Sequence, residues 1–284
     1  MNCPVCAASA PRAGRKSDYT AYRCASCRHL FMWPPPADVL GLYTEKYFTG
    51  GENGFGYVNY DLDKQPMLES LHRYLDLLTA RTGGPGRLCD IGTATGFFLD
   101  LARQRGWETT GYEPCAYAAA AARAKGLNVI AGVLPRGAGP FDAITALDVI
   151  EHVPEPREFV RTVRSALRDD GYFAINTPDS NSSVAKWMGM DWHAILPPEH
   201  LHLFNAKSLK MVLEQEGFRV LSTQWIGKRF TVQYIAQTLA RWRRFAMFRS
   251  IADALQHTSI GQLDLSLNLK DNLFVIAQKR QRER

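Results

Sequence analysis

From residue 86 onward, short apolar runs alternate with stretches whose apolar residues recur every three or four positions. The runs at 87–91, 109–112, 128–130, 141–147 and 172–176 predict buried strands, and 97–105, 116–125 and 155–167 predict the helices between them. Strands alternating with helices imply a parallel sheet with both faces covered. A helix at 206–216, a strand at 219–225 and a last strand at 273–278 complete this α/β region. Upstream, Met67, Leu71, Tyr74, Leu75 and Leu78 keep helical spacing and predict an amphipathic helix ending at Gly83-Gly84.

Two segments break the alternation. Pro34-Pro35-Pro36 stops regular structure, and the Gly-, Tyr- and Phe-rich residues 41–61 suit either an aromatic flap over a ligand or a surface loop with aromatic anchors. Between the last two predicted strands lie residues 227–271. Within them Val232, Ile235, Leu239, Trp242, Phe245, Phe248, Ile251 and Leu255 repeat at helical spacing, interleaved with Arg229, Arg241, Arg243, Arg244 and Arg249. This basic amphipathic pattern over 229–255 fits a lid over a site, a membrane-surface helix or a dimer contact. The lid is the favoured reading, with the arginines facing a phosphate-bearing or lipid-linked substrate.

Charge divides along the same boundaries. The net +6 of the 284 residues combines +4 over residues 1–30, −6 over 31–204 and +8 over 205–284. A nucleic-acid coating protein carries positive charge throughout or along one groove, so the acidic centre argues against that class. The chain shows no run of roughly 18 apolar residues and no basic-then-apolar leader pattern, which predicts a cytoplasmic protein, peripheral to a membrane at most.

Four of the six cysteines form two tight pairs, Cys3-x-x-Cys6 and Cys24-x-x-Cys27. Two such knuckles complete a tetrahedral site, and residues 1–31 are predicted to be a zinc ribbon ligated by all four. Disulfides or free core cysteines are the alternatives, and disulfides suit a chain without an export signal poorly. With every position taken by Cys, the metal is structural. The expected division is a zinc module at 1–31, a connector and lead-in helix at 32–84, and a ligand-binding domain at 85–284.

The first strand of that domain runs through Asp90-Ile91-Gly92-Thr93-Ala94-Thr95-Gly96-Phe97 into a helix. Gly92 and Gly96 permit a tight turn that brings backbone close to a ligand. The second strand ends in Gly111-Tyr112-Glu113-Pro114, which places a carboxylate where a ribose would sit. A dinucleotide needs Gly-x-Gly-x-x-Gly, whereas this turn is followed by bulky Phe97-Phe98. A nucleoside without a pyrophosphate fits better, and Asp90 favours its ammonium.

These motifs resemble those of the class I S-adenosylmethionine-dependent methyltransferases. Residues 90–96 look like their first motif, Glu113 like their ribose acid, residues 141–153 like their fourth-strand motif and 171–178 like their fifth strand. The resemblance implies a Rossmann-like, mostly parallel seven-stranded sheet with one antiparallel strand. It also implies an S-adenosylmethionine site at Asp90, Gly92, Thr93, Gly96, Phe97, Glu113 and Leu147. Ala94 replaces the usual middle glycine, and residues 131–135 lack the common adenine-binding acid, so backbone near Val133 and Leu134 is expected to serve instead. The pairing with a Cys-x-x-Cys module is similar to a subgroup linked to saccharide and natural-product methylation.

An oxygen or carbon acceptor needs a base. Asp148, Glu151 and His152 follow the fourth strand at i, i+3 and i+4, and share a face if the chain turns helical there; a second divalent-metal site from those three is a minor alternative. His200 and His202 lie in the stretch 191–204 and point to one side if it is extended. The expected catalytic set is therefore Asp148, His152, His200 and His202, and the expected activity is methylation of a small or saccharide-containing acceptor at oxygen. An RNA methyltransferase and a non-catalytic zinc-binding interaction protein are the competing functions.

Overall fold

In the computed structural model, residues 1–50, 60–232, 254, 255, 258 and 263–281 are described. The chain opens with strands β1 (Arg12–Lys16), β2 (Tyr19–Arg23) and β3 (Leu30–Trp33), followed by short helices α1 (Glu45–Thr49) and α2 (Tyr60–Lys64). The long helix α3 (Leu68–Thr82) buries Leu71, Tyr74, Leu75 and Leu78, four of the five positions that the spacing predicts to share a face, and stops at Gly83 in the left-handed conformation.

The alternating region then runs β4 (Arg87–Ile91), α4 (Phe97–Gln104), β5 (Glu108–Glu113), α5 (Ala116–Ala124), β6 (Val129–Ala131), β7 (Phe141–Leu147), α6 (Pro156–Ala166) and β8 (Leu167–Pro178). After α7 (Ser183–Met188) come the two-residue β9 (His202–Leu203), α8 (Ala206–Gln215), β10 (Phe218–Trp225), β11 (Lys228–Thr231), β12 (Asp264–Leu267) and β13 (Asn272–Lys279). Seven strands form one sheet in the order β10-β13-β8-β7-β4-β5-β6. Only β13 runs antiparallel to its neighbours. This is the α/β sheet that the alternating pattern and the resemblance imply.

Central strands are continuous apolar runs because helices cover both faces: Cys89, Ile91, Ile144, Ala146, Phe173 and Ile175 are buried in one core cluster, and Leu88, Ala143, Ala174 and Phe274 in another. The order β7-β4-β5 reverses chain direction of growth at β4, so the carboxyl ends of β4 and β7 open a crevice.

The N-terminal strands do not form a self-contained unit. β1, β2 and β3 make a four-stranded sheet with β9, whose Leu203 and His202 pair with Leu30 and Phe31. At the far end of the chain, the insertion begins and ends as a strand ribbon. Lys228–Thr231 pairs antiparallel with Asp264–Leu267, so the predicted basic helix does not include Arg229. Residues 233–253, which carry most of that amphipathic pattern, lie outside the described residues, as do 51–59 of the aromatic flap.

Candidate active site

The turn after β4 is built on left-handed backbone. Gly92 and Gly96 have φ of 68° and 83°, and Ala94 between them adopts 51°. A Cβ on Gly92 would lie 2.7 Å from the Val149 side chain, and one on Gly96 would lie 2.3 Å from Leu127, so both positions need glycine for conformation and for space. Ala94 shows that the middle position tolerates a methyl group.

Around this turn, Tyr60, Lys64, Met67, Leu71 and Tyr74 on one side face Asp90, Gly92, Thr93, Phe97, Leu147, Asp148 and Asn176 on the other, lining a cleft that opens to solvent. Asp90 is buried, accepts a 2.6 Å hydrogen bond from Thr145 Oγ1, and is pushed up to about 7 by that burial. Glu113 is also buried. Its Oε2 accepts from the Ala94 N–H and its Oε1 from the Cys115 N–H, both at 2.8 Å, so it braces the glycine turn as well as ending β5. Burial raises its pKa against those two hydrogen bonds. A carboxylate offers about four lone-pair sites, so two remain for a ligand's hydroxyls.

Of the residues expected to meet a cofactor, Asp90, Gly92, Thr93, Phe97 and Leu147 line the cleft. Gly96 and Glu113 stand behind it in the turn. Val133 is 60% exposed beyond β6, and Leu134 packs into the core.

A second group of side chains adjoins the cleft through Asp148. The rings of His152 and His200 meet edge-on, 4.6 Å between centres. His152 Nδ1 lies 3.1 Å from the Glu199 carbonyl and 2.8 Å from Tyr43 Oη. The Glu199 carbonyl only accepts, so that contact calls for the proton on Nδ1 and the lone pair on Nε2, whereas the Tyr43 hydroxyl can take either role. Desolvation, reinforced by His200, pushes His152 down to about 3, and it is neutral at pH 7. His200 is oriented in the same way, its Nδ1 donating to the Ala194 carbonyl at 2.7 Å. The Glu199 carboxyl is pushed up to about 7 by burial, against a hydrogen bond from Tyr47.

His202 does not join them. The His200 N–H bonds the Leu196 carbonyl in a turn, so the chain is extended only from residue 202 and the two imidazoles part. His202 sits in the junction with the N-terminal strands, its Nδ1 3.1 Å from His29 Nε2 and its Nε2 donating to the Pro154 carbonyl. Nor is residue 148–152 helical. Asp148 has φ 56° and the chain turns sharply, with the Glu151 carboxylate turned inward to accept from Thr177. Glu151, His152 and His200, rather than Asp148, Glu151 and His152, bring ligand atoms within 4.8 Å of one another. Sequence reasoning did not single out Tyr43, Tyr60, Lys64 or Asn176, although Tyr43 and Tyr60 belong to the aromatic 41–61 stretch read as a flap over a ligand and Asn176 lies near the carboxyl end of a predicted strand.

Beside the junction of β3 and β9 the four cysteine sulfurs converge, with Cys3, Cys24 and Cys27 in the same core cluster as Ile150 and Phe204. Cys3–Cys27, Cys6–Cys24 and Cys6–Cys27 are 3.7, 3.4 and 3.6 Å apart, and all four are free thiols. A tetrahedral ion with 2.3 Å Zn–S bonds separates its sulfurs by about 3.8 Å, so the cluster fits one zinc.

A family model described as a methyltransferase domain matches residues 59–223. Among curated proteins, the chain is similar to a ubiquinone biosynthesis O-methyltransferase of Caulobacter vibrioides, 29% identical over 143 residues, 42% of this chain and 57% of that one. It is also similar to C-methyltransferase NovU of Streptomyces niveus, 24% identical over 178 residues, 59% of this chain and 41% of that one. The chain thus spans less than two thirds of the length of the curated relatives it matches. Among solved structures, magnesium protoporphyrin IX methyltransferase from Synechocystis superposes with a TM-score of 0.53 at 13% identity, covering 81% of this chain and 90% of that one. The YcgJ protein of Bacillus subtilis gives 0.52 at 17% identity, covering 74% and 99%. At these identities the structural likeness speaks for the fold.

Proposed function

The chain belongs to the methyltransferase-domain family, and on that premise we propose that it transfers a methyl group from S-adenosylmethionine to an oxygen of a small or saccharide-containing acceptor. The observation that carries this reading is the junction, at Asp148, of the cleft beside the glycine turn with a neutral, oriented imidazole. Bound in that cleft, S-adenosylmethionine supplies an activated methyl group. The wall of Asp90, Gly92, Thr93, Phe97 and Leu147 would hold it, with Glu113 beneath the turn to meet the ribose.

The chain's own residues do the rest. His152 presents the Nε2 lone pair as general base, while Glu199 and Tyr43 fix the ring. His200 flanks it, and Glu199 with Tyr47 forms an acid of raised pKa that can share an acceptor proton. Positioning the acceptor in line supplies much of the rate of such a displacement. Mass spectrometry of a cell extract incubated with the protein and methyl-labelled cofactor tests the reading. A small labelled product that survives nuclease treatment supports it, and a label lost with nuclease overturns it in favour of RNA. The likeness to a C-methyltransferase makes a methyl group on carbon the competing outcome of the same experiment.

The cysteine cluster, in our reading, holds one structural zinc through Cys3, Cys6, Cys24 and Cys27. Co-sedimentation with anionic vesicles tests whether the basic 229–255 sequence meets a membrane surface, and no sedimentation is expected. Among the described residues no helix is long and apolar enough to cross a membrane.

A further inference from the structure

The cleft contains a cation of the protein's own. Lys64, at the end of α2, reaches in until its Nζ is 3.5 Å from Asp148 Oδ2, 3.8 Å from Met67 Sδ and 5.3 Å from the centre of the Tyr60 ring. A carboxylate, an aromatic face and a thioether are three groups that favour a partly desolvated cation. The Lys64 side chain is only 11% exposed and that of Asp148 26%.

The two partners are mounted very differently. Asp148 is rigid: its Oδ1 accepts from Asn176 Nδ2 at 2.6 Å, and Asn176 is locked in turn by Tyr74 and Asn272, each donating to its Oδ1 at 2.9 Å. Lys64 is carried by a five-residue helix. The other acid of the wall, Asp90, is buried and pushed up to about 7 by that burial, whereas Asp148 is partly exposed and already faces a cation, Lys64.

Methyl transfer changes the charge that this anion meets. The bond from methyl carbon to sulfur breaks and a bond from that carbon to the acceptor forms. The electron pair stays on sulfur, so a sulfonium becomes a neutral sulfide, and the acceptor proton passes to His152. We propose that Asp148 is the counter-ion of the sulfonium and that Lys64 is a tethered competitor for it, so that this pair sets how strongly the cleft prefers the charged cofactor over its neutral product. Lys64 yields its place to a sulfonium and takes it back once the charge on sulfur is gone. The inference rests on the cofactor reading above.

Titration calorimetry of the full chain with S-adenosylmethionine and with S-adenosylhomocysteine tests it. Lys64→Met is expected to tighten S-adenosylmethionine about five- to tenfold and to leave the homocysteine compound within about twofold, because only the former meets Asp148 with an extra charge. Lys64→Arg keeps the wild-type ratio, and Asp148→Asn shifts the ratio the opposite way. A ratio unchanged in Lys64→Met, with the melting temperature preserved, overturns the inference. Should Lys64→Met fail to fold, an unchanged ratio in Asp148→Asn overturns it equally. Wild-type protein that binds neither compound overturns the cofactor reading itself, a result distinct from binding both with an unaltered ratio.

Discussion

At the residue scale, the site separates charge by environment. His152 is held neutral and Glu199 is held protonated to an unusually high pH, and both effects come first from burial. Replacing His152 by Ala is expected to lower kcat by about 10²–10⁴-fold while S-adenosylmethionine affinity, read by calorimetry, stays within about twofold. Glu199 gives a stability signature whose sign follows from its raised pKa. The folded state favours the proton, so this contribution is full below the unfolded value of 4.5 and is lost as pH rises to about 7. Denaturant unfolding of wild type and Glu199→Gln across pH 4–8 should therefore diverge, the variant gaining on the order of 3 kcal/mol relative to wild type between those limits. Parallel curves would refute the burial of that carboxyl.

At the element scale, the turn between β4 and α4 is one unit with the end of β5. Gly92 must accommodate φ 68° and the Val149 side chain, and Glu113 ties the turn by accepting from Ala94. Gly92→Ala is expected to cost about 1–3 kcal/mol in stability and at least tenfold in cofactor affinity, checked by thermal melting and calorimetry. Elements of this kind were legible in the sequence because local rules and burial agree in them. The bounds of β4 and β7 match the apolar runs, and α4 and α5 differ from the predicted spans by one residue at the end. The two-residue β9 was not legible: its pairing with β3 is set by contact between residues some 170 positions apart, and no periodicity survives in two residues. The same cause separates His200 from His202. Their spacing of two suggests a shared side, but His200 closes a turn onto Leu196 while only His202 belongs to the strand. Lys64 was invisible for a simpler reason, since an exposed helical lysine and one that enters a cleft have the same local pattern.

On the scale of the whole molecule, the net charge of +6 describes no single surface, and the acidic centre coincides with the sheet that carries the cleft. On the zinc reading proposed above, metal held by the cysteine cluster would order the N-terminal strands, because thirty residues bury too little apolar surface by themselves. Elemental analysis is expected to find one zinc per chain. Chelation should release it with a fall in melting temperature and a loss of strand signal, whereas a chain that holds no metal and melts unchanged in chelator would refute the zinc assignment.

The sharing of β9 has a practical result for anyone who dissects or recombines such proteins. Leu203 and Phe204 are fully buried, and Asn205 donates to the Cys27 carbonyl, so the 191–205 loop is stitched to the cysteine module at several points. Excising residues 1–33 would strip a sheet edge bare and uncover apolar side chains in the rest of the chain, inviting aggregation. A chimera that exchanges the 191–205 loop between relatives must therefore move two distant pieces of sequence together, the cysteine module and that loop, as a single heritable cassette.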